Sequence, residues 1–507
     1  MPFDPNSPDL VVGVVGSGTM GRGIVQVTAE GGMRCKVFDA NTGAAQKAKE
    51  FIAGMLTRQV EKGRMAADAA RAAADRIEIV GSLADLADCH VVIEAVFEEL
   101  KVKLDLFAEL DAVCGEETIL ATNTSSLSVT EISTACKHRA RVAGLHYFNP
   151  VPLMKLVEVV DGMFTAPWVG DALTVLGRRQ GRVPVRCGDT PGFIVNHCGR
   201  GFAEGIRILS EGIAQPQDID RVMRDVGGFR MGPFQLMDLT GIDINFAAGK
   251  AIYDQYFQEP RFRPFVIHKQ RFDAGLYGRK TGRGWYGYEE GQASHEPPEA
   301  PAPPDRPGRV WVSAAEPDGQ RALTELLRKL DAEIDDGAEP RADSLCIVTP
   351  FGQDCTTAAV DQGLDPKRTV AVDTCFPMDG RRTLMGNPLT DPAALRAAHG
   401  LLASDGMPVT VIKDSPGFIA QRAIAHIVNI GCDAAQQRVA RPQDIDTAVT
   451  LGLNYPYGPL AYGDRIGPAR VLQILRNMQD FYGDPRYRPS AWLTRRARLG
   501  VSLLTED

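Results

Sequence analysis

Residues 10–39, LVVGVVGSGTMGRGIVQVTAEGGMRCKVFD, decide the fold. The apolar run Leu10–Val15 reads as a buried parallel strand, hydrophobic at nearly every position and closed by glycine. A helix is predicted from near Gly18 to the stop at Gly31-Gly32. A second strand, Arg34–Phe38, then ends at Asp39. Between strand and helix stands Gly16-Ser17-Gly18-Thr19-Met20-Gly21, a G-x-G-x-x-G. The first glycine permits the tight turn, the second lets the backbone approach a pyrophosphate, and the third lets the helix close on the strand. Backbone N–H groups at the helix start then face the phosphates. Asp39, 18 residues after Gly21, falls where a carboxylate accepts hydrogen bonds from the adenosine ribose and repels the 2′-phosphate of NADP. Alone the glycines would mark only a turn. With strand, helix and acid in register, they predict a dinucleotide site that prefers NAD.

Further strands are predicted at 77–80, 91–94, 119–123 and 142–146, with helical stretches between several of them. One of these, 100–113, carries Leu104, Phe107 and Leu110 on one side. This alternation predicts an α/β fold, a Rossmann-like doubly wound domain over residues 8–188. From Asp189 the pattern becomes helical (192–211, 217–226, 242–258), so a mostly α-helical domain is expected over 189–288. The Pro/Ala-rich and charged segment 289–308 reads as an extended linker.

The second half repeats the first. D-T-P-G-F-I-V at 189–195 returns as D-S-P-G-F-I-A at 414–420, an offset of 225. Q-D-I-D at 217–220 returns at 443–446, G-P-F at 232–234 as G-P-L at 458–460, and Asp238 and Gly241 as Asp464 and Gly467, all offset by 226. Two copies of the domain pair are therefore expected, with a degenerate Rossmann-like domain over 309–411 and a second helical domain over 412–507.

Bulk composition sets the outer limits. With 507 residues, 44% apolar and 24% charged, the chain is too long for one core. A net charge of −8 argues against a nucleic-acid binder working by phosphate neutralisation, but leaves a small anionic ligand open. No apolar run approaches the roughly 20 residues that span a bilayer. The start, MPFDPNSPDL, has no signal-peptide character, LLTED is not a peroxisomal address, and ten cysteines occur without a C-x-x-C pair. A cytoplasmic protein with no membrane partner and no metal site is the expectation.

His146 ends a predicted strand, in GLHYFNP at 144–150, where strand C-termini of a doubly wound sheet border the ligand crevice. A histidine there can exchange a proton near neutral pH; the alternative is a histidine hydrogen-bonded within packed structure. Asn123-Thr124-Ser125-Ser126-Leu127 follows another strand end and offers hydroxyl and amide groups to the same crevice. Glu158 lies in the apolar run Met154–Val160, where a carboxylate needs a partner. Asn196 sits in the helix opening at Pro191-Gly192.

These motifs together resemble the L-3-hydroxyacyl-CoA dehydrogenase family: GSGTMG, ATNTSSL, GLHYFNPVPLMKLVEV and DTPGFIVN occur in its order and spacing, over nearly all of 10–288. RKTGRGWYGY at 279–288 is similar to that family's C-terminal signature. The second half resembles the extended, two-copy bacterial members, which include 3-hydroxyadipyl-CoA dehydrogenases of phenylacetate breakdown. The resemblance implies NAD as cofactor and an acyl-CoA, 3-hydroxyadipyl or short-chain, as substrate. It implies His146 as general base, oriented by Glu158, with Ser125 and Asn196 on the substrate oxygens. It implies Gly16, Gly18, Thr19, Met20, Gly21, Asp39, Glu98, Lys103 and Asn123 towards the cofactor, and Lys62 with Arg58 towards coenzyme A. Met55 departs from the family by standing where a relative carries a serine near the coenzyme.

In the second copy Asp373 replaces His146, Gln421 replaces Asn196, and no glycine-rich loop precedes them, so a second active site is not expected. The duplicated helical domain leaves two assemblies open, a homodimer or an intrachain pseudo-dimer. The rival reading is a non-catalytic NAD or acyl-CoA binding protein on the same scaffold. The presence of all four catalytic candidates argues against it. No hydratase-sized region precedes residue 10, so a hydratase–dehydrogenase is not expected.

Overall fold

A computed structural model describes residues 1–289 and 296–507. Its eight-stranded sheet comprises β1 (Val11–Val15), β2 (Arg34–Phe38), β3 (Ile77–Ile79), β4 (Val91–Glu94), β5 (Ile119–Thr122), β6 (Val142–Tyr147), β7 (Leu156–Asp161) and β8 (Val183–Gly188). The order is β3-β2-β1-β4-β5-β6-β7-β8, the doubly wound arrangement expected. Val12 and Val14 enter one apolar cluster, with Ile24 and Val25 of the helix Thr19–Glu30. Val11 and Val15 enter the cluster on the opposite face, with Phe107 and Leu110. Burial on both faces explains the unbroken apolar run of β1.

The sheet departs from the sequence reading in two places. β6 and β7 pair antiparallel, which sets His146 directly opposite Glu158. β8 was not among the strands read from sequence. Its Pro184 is tolerated because β8 is the last strand of the sheet, with one side unpaired in the ladder.

The described residues divide into two compact units, 1–197 with 437–453, and 198–436 with 454–507. In the first unit the helix Pro442–Leu453, which the sequence assigns to the second copy, lies against β7 and β8. The Gly188 N–H donates to Val439 O at 2.8 Å and Cys187 bridges Ala440, so this segment covers part of the exposed edge of β8.

The second unit holds a five-stranded sheet, β9 (Val310–Val312), β10 (Leu345–Val348), β11 (Thr369–Val372), β12 (Arg382–Gly386) and β13 (Val409–Ile412), ordered β13-β12-β11-β10-β9. The antiparallel pair β11–β12 matches β6–β7, which equates β9–β13 with β4–β8. The shortening of the second copy is thus the loss of the β1–β3 portion, the part that carries the glycine loop.

Local geometry repeats with the sequence. Phe193 and Phe418 take positive φ of 48° and 50°, and Gly241 and Gly467 both take φ 98°. Asp189 accepts from the N–H groups of Val129 and Thr130, and Asp414 from those of Cys355 and Thr356. The stretch 192–211, read as one helix, is instead Val195–Cys198, a 3-10 turn Gly199–Ala203 and Glu204–Ser210. Gly199 and Gly201 weaken the helix there, whereas its counterpart Ala420–Gln436 is continuous.

The linker reading at 289–308 falls partly outside the described residues. The described part, from Glu296, has no regular secondary structure but is anchored: Glu296 accepts from Arg221 and Arg224, and Glu299 pairs with Arg381. Among the described residues no disulfide forms, no helix is long and apolar enough to cross a membrane, and no His/Cys/Asp/Glu cluster could hold a metal.

Candidate active site

At the C-terminal ends of β1, β4, β5 and β6 lies a cleft of about 330 Å³, lined by Met20, Glu98, Lys103, Asn123, Ser125, His146 and Asn196 among others. The structure thus brings seven of the residues singled out in the sequence to one place, all in the first unit.

The glycine loop has room for a dinucleotide. Gly16 has φ 96°, and a Cβ there would stand 2.6 Å from Ala95 O. A Cβ on Gly21 would collide with Gly16 O at 1.9 Å. Gly18, by contrast, has nothing within 4 Å of its Cβ position, which is open space at the start of the helix Thr19–Glu30. Asp39 turns towards this loop: one carboxylate oxygen accepts from Ser17 N and Oγ at 2.8 and 2.6 Å, the other from Asn41 N. Burial raises the pKa of Asp39, but these hydrogen bonds outweigh it and hold the group below its ordinary value. The residues fit an NAD whose pyrophosphate meets N–H groups at the helix start and whose ribose meets a charged carboxylate.

Sequence reasoning missed one residue of this side. Glu94, the last residue of β4, is fully buried and meets Lys103 Nζ at 2.6 Å. Its carboxylate also accepts from Val96 N and Thr122 Oγ1. The signal was available, since an acid ending the apolar run VVIE needs a partner as much as Glu158 does. Glu98 lies 3.3 Å from Lys103 and accepts from Thr124 Oγ1, Ser125 N and Ser126 N, which ties the TNTSS loop to the cleft. Burial pushes the Glu98 carboxyl up, but Lys103 and these donors keep it below its ordinary value. Asn123 Oδ1 accepts the N–H of Tyr147, next to His146.

His146 and Glu158 face one another across the β6–β7 ladder, with Nδ1 to Oε2 at 2.6 Å. The second oxygen of Glu158 accepts from the N–H groups of Ile194 and Val195, both at 3.0 Å. Glu158 is completely buried and His146 is 5% exposed, packed near Phe148 and Phe193. With Nδ1 engaged by the acid, Nε2 is the nitrogen left to exchange a proton, in the arrangement of a base held by an orienting carboxylate. Asn196 follows Val195 directly, so the segment that fixes Glu158 also brings Asn196 to the cleft.

Lys62 and Arg58 stand apart from the lining residues, exposed at and just beyond the end of the helix Ala44–Glu61, with Arg58 against Met55 Sδ at 3.9 Å. In the second copy Gln421 Nε2 donates to Asp373 at 2.8 Å, and burial pushes the Asp373 carboxyl up to about 6. No histidine or orienting acid accompanies it: Thr383, whose carbonyl takes the Asp373 N–H, holds the register position of Glu158.

Residues 11–190 match the 3-hydroxyacyl-CoA dehydrogenase NAD binding domain, and 192–288 and 417–502 each match the C-terminal domain of the same family. The 3-hydroxyadipyl-CoA dehydrogenase of Escherichia coli K12 is 39% identical over 490 residues, 96% of this chain and 97% of that one. The 3-hydroxybutyryl-CoA dehydrogenase of Clostridioides difficile is 37% identical over 278 residues, 55% of this chain and 99% of its own. A crystal structure of a 3-hydroxybutyryl-CoA dehydrogenase from Escherichia coli K12 superposes with TM-score 0.84 at 36% identity, covering 97% of this chain and 99% of the other.

Proposed function

The chain belongs to the 3-hydroxyacyl-CoA dehydrogenase family, and from that premise we propose how its cleft works. The enzyme is an NAD-dependent 3-hydroxyacyl-CoA dehydrogenase, interconverting an L-3-hydroxyacyl-CoA and its 3-oxo form. NAD, when bound, supplies the hydride acceptor for C3. His146 Nε2 takes the proton of the 3-hydroxyl. Glu158 holds the imidazole in the tautomer that allows this and stabilises the imidazolium that results. Ser125 and Asn196 hydrogen-bond the substrate oxygens. Gly16, Gly18, Thr19, Met20, Gly21, Asp39, Glu98, Lys103 and Asn123 form the cofactor side, and exposed Lys62 and Arg58 meet the phosphates of coenzyme A. The observation that carries this reading is the buried Glu158–His146 pair, whose His146 lines the same cleft as Met20 of the glycine loop.

For the acyl group we propose a 3-hydroxyadipyl or short chain, supported by the full-length similarity to the Escherichia coli 3-hydroxyadipyl-CoA dehydrogenase. The domain division read from sequence (8–188, 189–288, 309–411 and 412–507) is proposed with it, as is a cytoplasmic setting, which suits ten cysteines with no disulfide among the described residues. The test is NADH oxidation with acetoacetyl-CoA and with 3-oxoadipyl-CoA, each beside NADPH. Turnover with NADH on either substrate, and little with NADPH, supports the reading. Turnover of neither, with NADH still bound, overturns it in favour of a binding protein.

A further inference from the structure

The second copy has no histidine at its own site, yet one of its helices touches the support of the first. Gly452, in the helix Pro442–Leu453, packs against Val195 and Leu156 within the first unit. A methyl group on Gly452 would stand 2.8 and 3.1 Å from the two γ-carbons of Val195 and 3.0 Å from Leu156 Cδ2. Ordinary carbon contacts are about 3.5–4.0 Å. Both neighbours bear on Glu158: Val195 donates its N–H to the carboxylate, and Leu156 lies two residues before it on β7. Val195 is β-branched and stiff at χ1, so it cannot swing clear. The helix cannot simply retreat either, because the segment leading into it is bound to β8 through Gly188 and Val439.

We infer that Gly452 is a positioning residue for the active site: its missing side chain lets the second copy's helix back Val195 and Leu156 in the arrangement that holds Glu158 against His146. The repeat supplies an independent observation. The positions equivalent to Gly452 and Val195 carry Val226 and Ala420, so the small and large residues are exchanged between the two copies. On that side Thr383 stands where Glu158 would be and no carboxylate needs holding. The inert copy thereby has a part in the reaction proposed above, on which this inference rests.

The test uses the full chain with Gly452→Ala and Gly452→Val. Alanine favours a helix over glycine, so helix propensity alone predicts an unchanged or higher melting temperature and unchanged kcat. The inference predicts a fall in kcat on the order of tenfold to a hundredfold, with the NADH dissociation constant within about twofold, since the glycine loop is untouched. Gly452→Ala/Val195→Ala should recover more activity than the product of the two single effects. The proton between His146 Nδ1 and Glu158, followed by its downfield NMR resonance, should shift in Gly452→Ala whatever the turnover. This readout separates failure of the inference from failure of the functional reading. An unshifted resonance in Gly452→Ala, or kcat within twofold of the parent in a folded Gly452→Val, overturns the inference. If Gly452→Val does not fold, Gly452→Ala and its rescue decide.

Discussion

Lys103 Nζ lies 2.6 Å from Glu94 Oε1, both side chains buried, with Lys103 among the residues that line the cleft. Nine residues separate them, from the end of β4 to the first turn of the helix Leu100–Val113. Burying either group without the other would be costly. The pair also carries Glu98, the residue that gathers the TNTSS loop. A buried ion pair and a loop that lines the cleft are therefore coupled.

Breaking that pair on one side should cost more than removing it. Lys103→Met leaves Glu94 buried and uncompensated, and stability should fall by about 3–5 kcal/mol. Lys103→Met/Glu94→Gln should recover most of that loss, because no buried charge remains. Urea unfolding midpoints of the three proteins measure the difference.

His146→Ala should lower kcat by ~10²–10⁴ while NADH binding, read by fluorescence, stays intact. Glu158→Gln should also lower kcat, because an amide cannot stabilise the imidazolium. Equal kcat in the parent and His146→Ala would remove His146 from the reaction.

On the role proposed for Asp39, its charge should set the coenzyme preference. Its pKa is held below the ordinary value by Ser17 and Asn41 against the pull of burial, so it stays ionised from pH 5 upwards. The NADH:NADPH ratio of kcat/KM should therefore change between pH 5 and 8 only as the 2′-phosphate of NADPH gains its second charge near about pH 6, rising towards pH 8. Asp39→Ser removes about 1–4 kcal/mol of charge repulsion and should raise NADPH activity on the order of tenfold or more. Parallel assays with the two coenzymes across that range decide it.

Acid stability should depend on Glu204 in the second unit. Arg422 Nε meets Glu204 Oε1 at 2.8 Å, and both side chains are wholly buried. Burial pushes this carboxyl up, but Arg422, His426, Arg486 and Arg207 outweigh it and hold it down to about 2, against an ordinary 4.5. A depressed carboxylate pKa gives stability that is present above pH 4.5 and lost as pH falls through 2. That contribution is roughly 3 kcal/mol. Glu204→Gln should be less stable than the parent at pH 7, with a correspondingly shallower decline between pH 4.5 and 2, as measured by urea titration at each pH.

The sequence by itself determined whatever is encoded in short, contiguous stretches. The strand, glycine loop, helix and acid of residues 10–39 are such a case, because they follow one another at a fixed spacing within thirty residues. His146 and Glu158 were legible because strand ends border the crevice and an acid in an apolar run needs a partner. The duplication was legible because the same turns recur with the same residues, down to the positive φ shared by Phe193 and Phe418. Tertiary structure decided what depends on how distant segments meet. The antiparallel turn of β7 set Glu158 opposite His146 when periodicity could not tell strand direction. The burial of Lys103, on a helix face that could equally have met solvent, made Glu94 its partner. Gly452 lies against Val195, 257 positions earlier in the chain, because the chain returns to cover β8, and no local pattern marks a glycine whose neighbour comes from so far away. Periodicity and turn chemistry act over a few residues, whereas packing is set by the path of the whole chain.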